Sequence, residues 1–164
     1  LGPNLYRPCD RSRDRTGGMR VEGTFSFQDA SRDAVWDSLT NPDRIAECLP
    51  GCDKLEQIEE HGYRMNIRVG IGAIRSSYTG TVRLKDLRPP SAYTLKVCGT
   101  GTSGFMEGEG SVQLEEDGDE MRVRYSGSLS VGGKIAALGQ RMVGGAAQMV
   151  IGQFFKCVAS KLGE

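Results

Sequence analysis

The stretch that decides the fold is residues 131–162, VGGKIAALGQRMVGGAAQMVIGQFFKCVASKL, near the end of the 164-residue chain. Two glycines open it, and apolar residues then recur at steps of three and four, as on one face of an α-helix. That apolar stripe consists of Ile135, Leu138, Met142, Ala146, Met149 and Val150. No upstream stretch has a comparable helical pattern. The sequence therefore predicts one long helix from Val131 onward, which covers the sheet that the preceding chain builds.

The chain before this helix alternates apolar and polar residues with the period of two that is typical of strands. The clearest case is one apolar face made by Tyr63, Met65, Ile67, Val69 and Ile71. By this pattern and the turn residues between segments, we predict strands at 19–27, 52–59, 63–71, 75–87, 92–100, 104–115 and 120–131. Two short helices are predicted between the first two strands. Ser31 caps one of them, and Asn41-Pro42 separates it from the other at 43–48.

This order of elements predicts an α+β fold. Seven antiparallel strands form a curved sheet, two short helices follow strand one, and the long C-terminal helix crosses the concave face. Because only that helix is long enough to close the sheet, an elongated interior cavity is expected.

Composition limits both the organisation and the partners. The 21 basic and 21 acidic residues balance, which argues against a nucleic-acid-binding surface. No run of about 18 apolar residues predicts a membrane span. Residues 1–18 carry four arginines among Pro, Gly and Ser, lack apolar periodicity and precede Met19. We interpret them as a vector-derived or otherwise non-native leader that is disordered or loosely ordered, and residues 19–164 as a single domain.

The sequence offers little for catalysis or for binding a metal. The single histidine, His61, lies in a predicted exposed turn. The five cysteines are irregularly spaced, which favours free thiols in a reducing compartment over a disulfide framework. Cys48 and Cys52 in particular lack the spacing of a zinc or redox pair and are interpreted as structural thiols near the cavity mouth. We therefore predict a cytoplasmic protein without metal or cofactor.

Small residues in the long helix motivate a ligand hypothesis. Gly139, Gly144, Gly145 and Gly152 lie within the helical pattern, and thin side chains opposite a concave sheet leave unfilled volume. An apolar stripe alone more often belongs to a core than to a ligand site. The predicted ligand-binding residues are Met65, Ile67, Val69, Ile71, Phe105, Met106, Leu129, Leu138, Met142, Ala146 and Val150. Within this set, Phe105 and Met106 suit a flexible lip over an opening and ordinary edge packing about equally well.

The sequence also resembles a known family over residues 20–162. The similarity is carried by VWDSLTNPDRIAECLPGCDKLE at 35–56, VGIGAI at 69–74, LRPPSAYTL at 87–95, GTGTSGFMEGEGSV at 99–112 and VGGKIAALGQRMVGGAAQMVIGQFF at 131–155. These segments resemble the CoxG family of carbon monoxide dehydrogenase subunits, a branch of the START-like (SRPBCC), helix-grip superfamily. The resemblance implies a helix-grip fold and a small accessory protein of a carbon monoxide dehydrogenase or related molybdenum hydroxylase.

Two roles follow from the resemblance. The protein either carries a lipophilic molecule such as a quinone in its cavity, or recruits the enzyme to the cytoplasmic membrane as a peripheral protein. A purely structural recruitment subunit with a closed core is one alternative. The other is a START-like enzyme of the cyclase or hydrolase type that uses acidic or tyrosine residues of the cavity, such as Tyr78 or Tyr125. A buried carboxylate with a shifted pKa would support the enzyme.

Overall fold

The computed structural model describes residues 19–163, and the predicted leader lies outside them. Its strands are β1 (Met19–Gln28), β2 (Cys52–Glu59), β3 (Gly62–Ile71), β4 (Ile74–Arg88), β5 (Ala92–Gly101), β6 (Gly104–Asp117) and β7 (Glu120–Gly132). The helices are α1 (Arg32–Thr40), α2 (Pro42–Cys48) and α3 (Gln140–Leu162), with a 3₁₀ segment at Gly133–Leu138.

All strands join one antiparallel sheet in the order β1-β7-β6-β5-β4-β3-β2. Consecutive strands from β2 to β7 pair as hairpins, and β1 pairs with β7, so α1 and α2 carry the chain from one edge of the sheet to the other. The predicted curved antiparallel sheet with a long C-terminal helix is confirmed.

Local sequence signals explain the two short helices. Ser31 caps α1, because its Oγ accepts a hydrogen bond from the backbone N–H of Ala34 at 3.1 Å. Asn41 caps α2 in the same way through the N–H of Asp43 at 2.8 Å, and Pro42 occupies the first turn, where its missing N–H is not needed. The predicted cap at Ser31 and the helix boundary at Asn41-Pro42 are confirmed.

The C-terminal stretch departs from the prediction of one helix beginning at Val131. Strand β7 continues to Gly132, and the 3₁₀ segment ends at Gly139, whose φ of 93° and ψ of 155° lie far from helical values. Glycine adopts this backbone conformation without a steric penalty from a Cβ atom. Helix α3 therefore begins only at Gln140.

The break at Gly139 also corrects the predicted apolar stripe. Met142 and Met149 are 46% and 62% exposed, whereas Val143, Phe155 and Val158 are the buried residues of α3. Because the helix starts a new phase after Gly139, residues before and after the break do not share one continuous helical face. By length and composition α3 could also cross a membrane. Phe155 and Val158, however, are packed in the protein core.

Two groups of buried side chains make up the core. The aromatic cluster consists of Phe27, Val35, Trp36, Leu39, Cys48, Leu84, Tyr93, Val112, Leu114, Met121, Val123, Phe155 and Val158. The β3–β4 cluster consists of Leu55, Tyr63, Met65, Ile67, Ile71, Tyr78, Val82, Ile135 and Val143. The first is enclosed by α1, α2 and the C-terminal half of α3. The second lies under the 3₁₀ segment and the beginning of α3.

A disulfide bond contradicts the free-thiol interpretation. Cys48 at the end of α2 is bonded to Cys157 of α3, with the two Cα atoms 5.4 Å apart and 109 residues between them in sequence. Sequence spacing could not reveal this pair because tertiary folding alone brings the two helices together. Cys52 is a free, half-buried thiol, and its pKa is raised by burial and by the neighbouring Asp53 carboxylate.

Candidate functional site

The concave side of the sheet brings most of the predicted ligand-binding residues together. Met65, Ile67 and Ile71 are buried members of the β3–β4 cluster. Five others pack against that cluster and are only half-buried: Val69, Met106, Leu129, Leu138 and Ala146. They come from β3, β6, β7, the 3₁₀ segment and α3, so the candidate site lies where these elements face one another.

The remaining predicted residues lie elsewhere or at the margin. Phe105 pairs with Gly132 in the sheet and is 40% exposed, and strand alternation places it on the opposite face from Met106. Met142 is exposed near the β3–β4 turn, where its Sδ would be 3.5 Å from a Cβ built on Gly72. Val150 is half-buried and belongs to neither cluster. Only Met106 of the predicted lip therefore faces the site.

Helix α3 is attached on one side of the concave face. The Tyr125 hydroxyl donates to Gln148 Oε1 at 3.1 Å, and Gln148 Nε2 donates to the backbone oxygen of Glu22 at 3.3 Å. Burial raises the pKa of Tyr125. A Cβ built on Gly144 would lie 3.7 Å from Met19 Sδ of β1. These contacts hold the middle of the helix against β1 and β7 rather than against β3 and β4.

This one-sided attachment leaves apolar residues of the site incompletely covered. Along α3, no residue between Val143 and Phe155 is fully buried, a span of three helical turns. Val69 and Leu129 pack against the β3–β4 cluster, yet both remain partly accessible. An apolar surface that is directed inward and still accessible can accept an apolar ligand.

The glycines of the helix contribute less to this space than their sequence positions suggest. A Cβ built on Gly145 would meet no atom within 4 Å, but Gly145 is solvent-exposed, so the free volume beside it is outside the protein. Gly139 is not part of α3 at all. The argument for unfilled volume therefore passes from the glycines to the lateral position of the helix.

Two polar side chains of the site have unsatisfied hydroxyl groups. Tyr78 is 0% exposed and Ser76 is 7% exposed. Within the part of the chain that the structure describes, neither Tyr78 OH nor Ser76 Oγ has a hydrogen-bond partner. Sequence analysis named Tyr78 only for the enzyme alternative and did not single out Ser76. The alternation of β4, which places both on the inward face, is the signal that could have identified them.

A separate groove of about 360 Å³ lies mainly on the face of the sheet that points away from α3. It is lined by Glu22, Gly23, Thr24, Ser111, Gln113, Arg124, Tyr125 and Ser126. Arg124 is paired with Glu115 at 3.1 Å, so its charge is already compensated. This polar groove differs in chemistry from the apolar concave site.

Charged groups do not gather at the concave site. Among residues 19–163, no three His, Cys, Asp or Glu side chains come together as a metal site requires. Of the carboxyl groups in that described range, Glu47 alone has a resolved pKa shift. Its pKa is lowered by a hydrogen bond from Lys161 and by Arg44, on the protein surface. His61 is exposed, as predicted.

Comparison with known families assigns the chain. The family model of CoxG, a subunit of carbon monoxide dehydrogenase, matches residues 23–163, which is most of the sequence. The chain belongs to the CoxG family. A comparison with curated proteins found no match.

Solved structures place this CoxG family member among START-like folds. A conserved protein from Geobacillus kaustophilus is 34% identical over 88% of this chain and 95% of its own, with a TM-score of 0.84. A START superfamily protein from Mycobacterium smegmatis is 12% identical, with a TM-score of 0.64 over 90% of this chain and 98% of its own. The Zhui aromatase/cyclase from Streptomyces sp. R1128 is 14% identical, with a TM-score of 0.65 over 89% and 94%. The last two similarities concern the fold alone.

Proposed function

We propose that this protein is a non-catalytic accessory subunit of a carbon monoxide dehydrogenase or related molybdenum hydroxylase. In this role it carries a lipophilic molecule, such as a quinone, between its sheet and α3. The observation that carries the proposal is the set of inward apolar residues left accessible beneath the middle of the helix. Membership of the CoxG family supports the accessory role and the choice of partner.

The 3₁₀ segment is suited to act as the entrance to the site. It begins at Gly133 with a φ of 84° and is followed by Gly139 with a φ of 93°, backbone conformations that glycine adopts readily. The segment contributes one buried side chain, Ile135, to the β3–β4 cluster, while Lys134 and Ala136 are exposed. Displacing it would expose few apolar atoms, so opening here requires little energy compared with displacing the C-terminal half of α3.

Exposed apolar side chains support a role at the cytoplasmic membrane. Phe105, Met142 and Met149 are the large apolar residues exposed in the described chain. Met142 lies beside the β3–β4 turn and close in sequence to the proposed entrance. We propose that the protein contacts the membrane peripherally from the cytoplasm when it exchanges its ligand.

Ligand carriage can be tested directly. Native mass spectrometry of protein purified from a membrane-containing host should reveal a bound lipophilic molecule. Adding a quinone to the delipidated protein should raise its melting temperature. Met149→Ala serves as a matched control because Met149 is exposed and away from the β3–β4 cluster. An unchanged melting temperature together with ligand-free mass spectra would refute the carrier role.

The partner can be tested separately. The quinone-loaded protein, mixed with a purified carbon monoxide dehydrogenase from the same organism, should co-elute with it during size-exclusion chromatography. Carbon monoxide should then reduce the bound quinone, which is followed by its ultraviolet absorbance. Reduction at the same rate with free quinone and with the loaded protein would contradict the proposed delivery.

The observations do not favour the enzyme alternative. Glu47, the carboxyl group with a shifted pKa among the described residues, lies on the surface and is ionised by its basic neighbours. Tyr125 is engaged with Gln148 and holds the helix in place. Tyr78 is better explained by ligand binding than by catalysis.

A further inference from the structure

Tyr78 and Ser76 have hydrogen-bonding groups that the described protein does not satisfy. Both hydroxyl oxygens are shielded from solvent, and neither has a partner within residues 19–163. A buried polar group without a hydrogen bond lowers stability, and native proteins retain few of them. Two on one strand, two residues apart, call for a common explanation.

Strand geometry directs the two side chains to the same place. Residues two apart on a strand point to the same face and are about 7 Å apart along it. Tyr78 pairs with Ile67 and belongs to the β3–β4 cluster, so this face is the inward one. Ser76 pairs with Val69, an accessible apolar residue of the candidate site.

Glycines of the neighbouring strand leave room around the Tyr78 ring. On β5, a Cβ built on Gly101 would lie 3.2 Å from Tyr78 Cδ1, closer than an ordinary contact. A Cβ built on Gly99 would lie 3.4 Å from the Cβ of Tyr78. Larger side chains at these positions would crowd the tyrosine, whereas the glycines allow its ring to lie along β5 inside the sheet.

The surroundings restrict what can satisfy the hydroxyl groups. The β3–β4 cluster and the residues packed against it contain no charged side chain. A ligand carboxylate would therefore be buried without a counter-ion, which is strongly unfavourable. A carbonyl oxygen is neutral and accepts the hydrogen bonds that two hydroxyl groups donate.

We infer that Tyr78 and Ser76 bind the carbonyl end of the lipophilic ligand, while its apolar part lies along β3 and under α3. The inference rests on the proposed function and specifies the ligand as a long neutral molecule with a terminal carbonyl group, such as a quinone or ketone. Hydrocarbons would leave the hydroxyl groups unsatisfied, and fatty acids would bury a charge.

The test compares three probes of similar chain length: decylubiquinone, decylbenzene and decanoate. Their dissociation constants are measured by isothermal titration calorimetry on the wild-type protein, Tyr78→Phe and Ser76→Ala. The wild type should bind decylubiquinone most tightly. Tyr78→Phe should weaken decylubiquinone binding by about 3- to 10-fold, the effect of one neutral hydrogen bond, and leave decylbenzene binding unchanged. Ser76→Ala should act in the same direction.

A second readout separates ligand binding from folding. Because Tyr78→Phe removes an unsatisfied buried hydroxyl, the melting temperature of the ligand-free variant should be equal to or higher than that of the wild type. Tyr93→Phe is the matched control, since the Tyr93 hydroxyl donates to the backbone oxygen of Leu39 at 3.1 Å. Tyr93→Phe should lower the melting temperature and leave the preference for decylubiquinone over decylbenzene intact.

Each remaining outcome decides against a definite statement. If the wild type binds decylubiquinone and decylbenzene equally, and Tyr78→Phe changes neither, the inference is wrong while the carrier role stands. Tighter binding of decanoate than of decylubiquinone would also overturn the inference. If the wild type binds none of the probes, the proposed function fails and the inference fails with it.

Discussion

The aromatic cluster and the β3–β4 cluster each contain a tyrosine that is almost fully buried, but the two tyrosines differ in their bonding. In the aromatic cluster, Tyr93 donates a hydrogen bond to Leu39, and burial raises its pKa well above the ordinary value. In the β3–β4 cluster, Tyr78 has no partner among the described residues. One buried tyrosine is satisfied by the protein itself, and the other leaves its bonding group for a ligand.

The two clusters differ equally in how they are covered. Around Phe155, rings pack closely: its ring centroid lies 5.3 Å from that of Phe25 and 5.6 Å from that of Tyr125. The disulfide between Cys48 and Cys157 further ties α2 to α3 at this end. The β3–β4 cluster is covered mainly through Ile135 and Val143. The comparison indicates that one half of the domain provides stability and the other half provides a place for a ligand.

The largest expected effect is on the aromatic cluster. Phe155→Ala should lower the free energy of unfolding by about 3–5 kcal/mol, because it removes a buried ring and leaves a cavity among its neighbours. Val143→Ala in the β3–β4 cluster should lower it by no more than about 2 kcal/mol. Urea denaturation followed by circular dichroism measures both. Equal losses would contradict the division between a stabilising half and a binding half.

The disulfide should contribute the next largest effect. Cys48→Ser should lower the free energy of unfolding by about 2–5 kcal/mol, since the bond closes a long loop of the unfolded chain. Cys52→Ser is the control, because Cys52 is a free thiol, and it should change stability by less than about 1 kcal/mol. Both variants are compared by urea denaturation without reducing agent. A stability of Cys48→Ser equal to that of the wild type would show that the disulfide does not form in solution.

Filling the space under α3 sharpens the comparison. Ala146 packs against the β3–β4 cluster and is half-buried. Ala146→Leu should raise the free energy of unfolding of the ligand-free protein by about 1 kcal/mol through added apolar burial. It should also weaken quinone binding about tenfold, an estimate that corresponds to about 1.4 kcal/mol.

The control for this prediction is Ala137→Leu, at an exposed position of the 3₁₀ segment, which should change neither quantity appreciably. Melting temperature and quinone titration are the two measurements. If Ala146→Leu instead destabilises the protein by about 1–3 kcal/mol, the site is already filled by protein atoms.

The smallest expected effect concerns pH and lies outside both clusters. Glu47 has a pKa below its ordinary value of 4.5, first because of the hydrogen bond from Lys161, so folding favours its ionised form. Its contribution is therefore present above pH 4.5 and is lost as the pH falls through the lower folded pKa. Glu47→Gln should be slightly less stable than the wild type at about pH 7, with a difference that shrinks below about pH 4. A difference that grows on acidification would contradict this assignment.

Sequence analysis predicted the fold because its signals are local. Period-two alternation in β3 and the caps at Ser31 and Asn41 depend on neighbouring residues, and they indicated the elements and their order. The site was predicted in part for the same reason: alternation identified Met65, Ile67 and Ile71 as one face. Phe105 was grouped with Met106, although adjacent strand residues point to opposite faces.

The sequence by itself determined the strands, the short helices, the family and the apolar character of the concave face, since each follows from local patterns or matched segments. Tertiary structure alone decided the break at Gly139, the pairing of Cys48 with Cys157 and the attachment of α3 to β1 and β7 through Gln148. It also decided that the Tyr78 hydroxyl is buried without a partner among the described residues while that of Tyr93 is bonded. These features depend on contacts between residues far apart in the chain, which no local pattern of the sequence encodes.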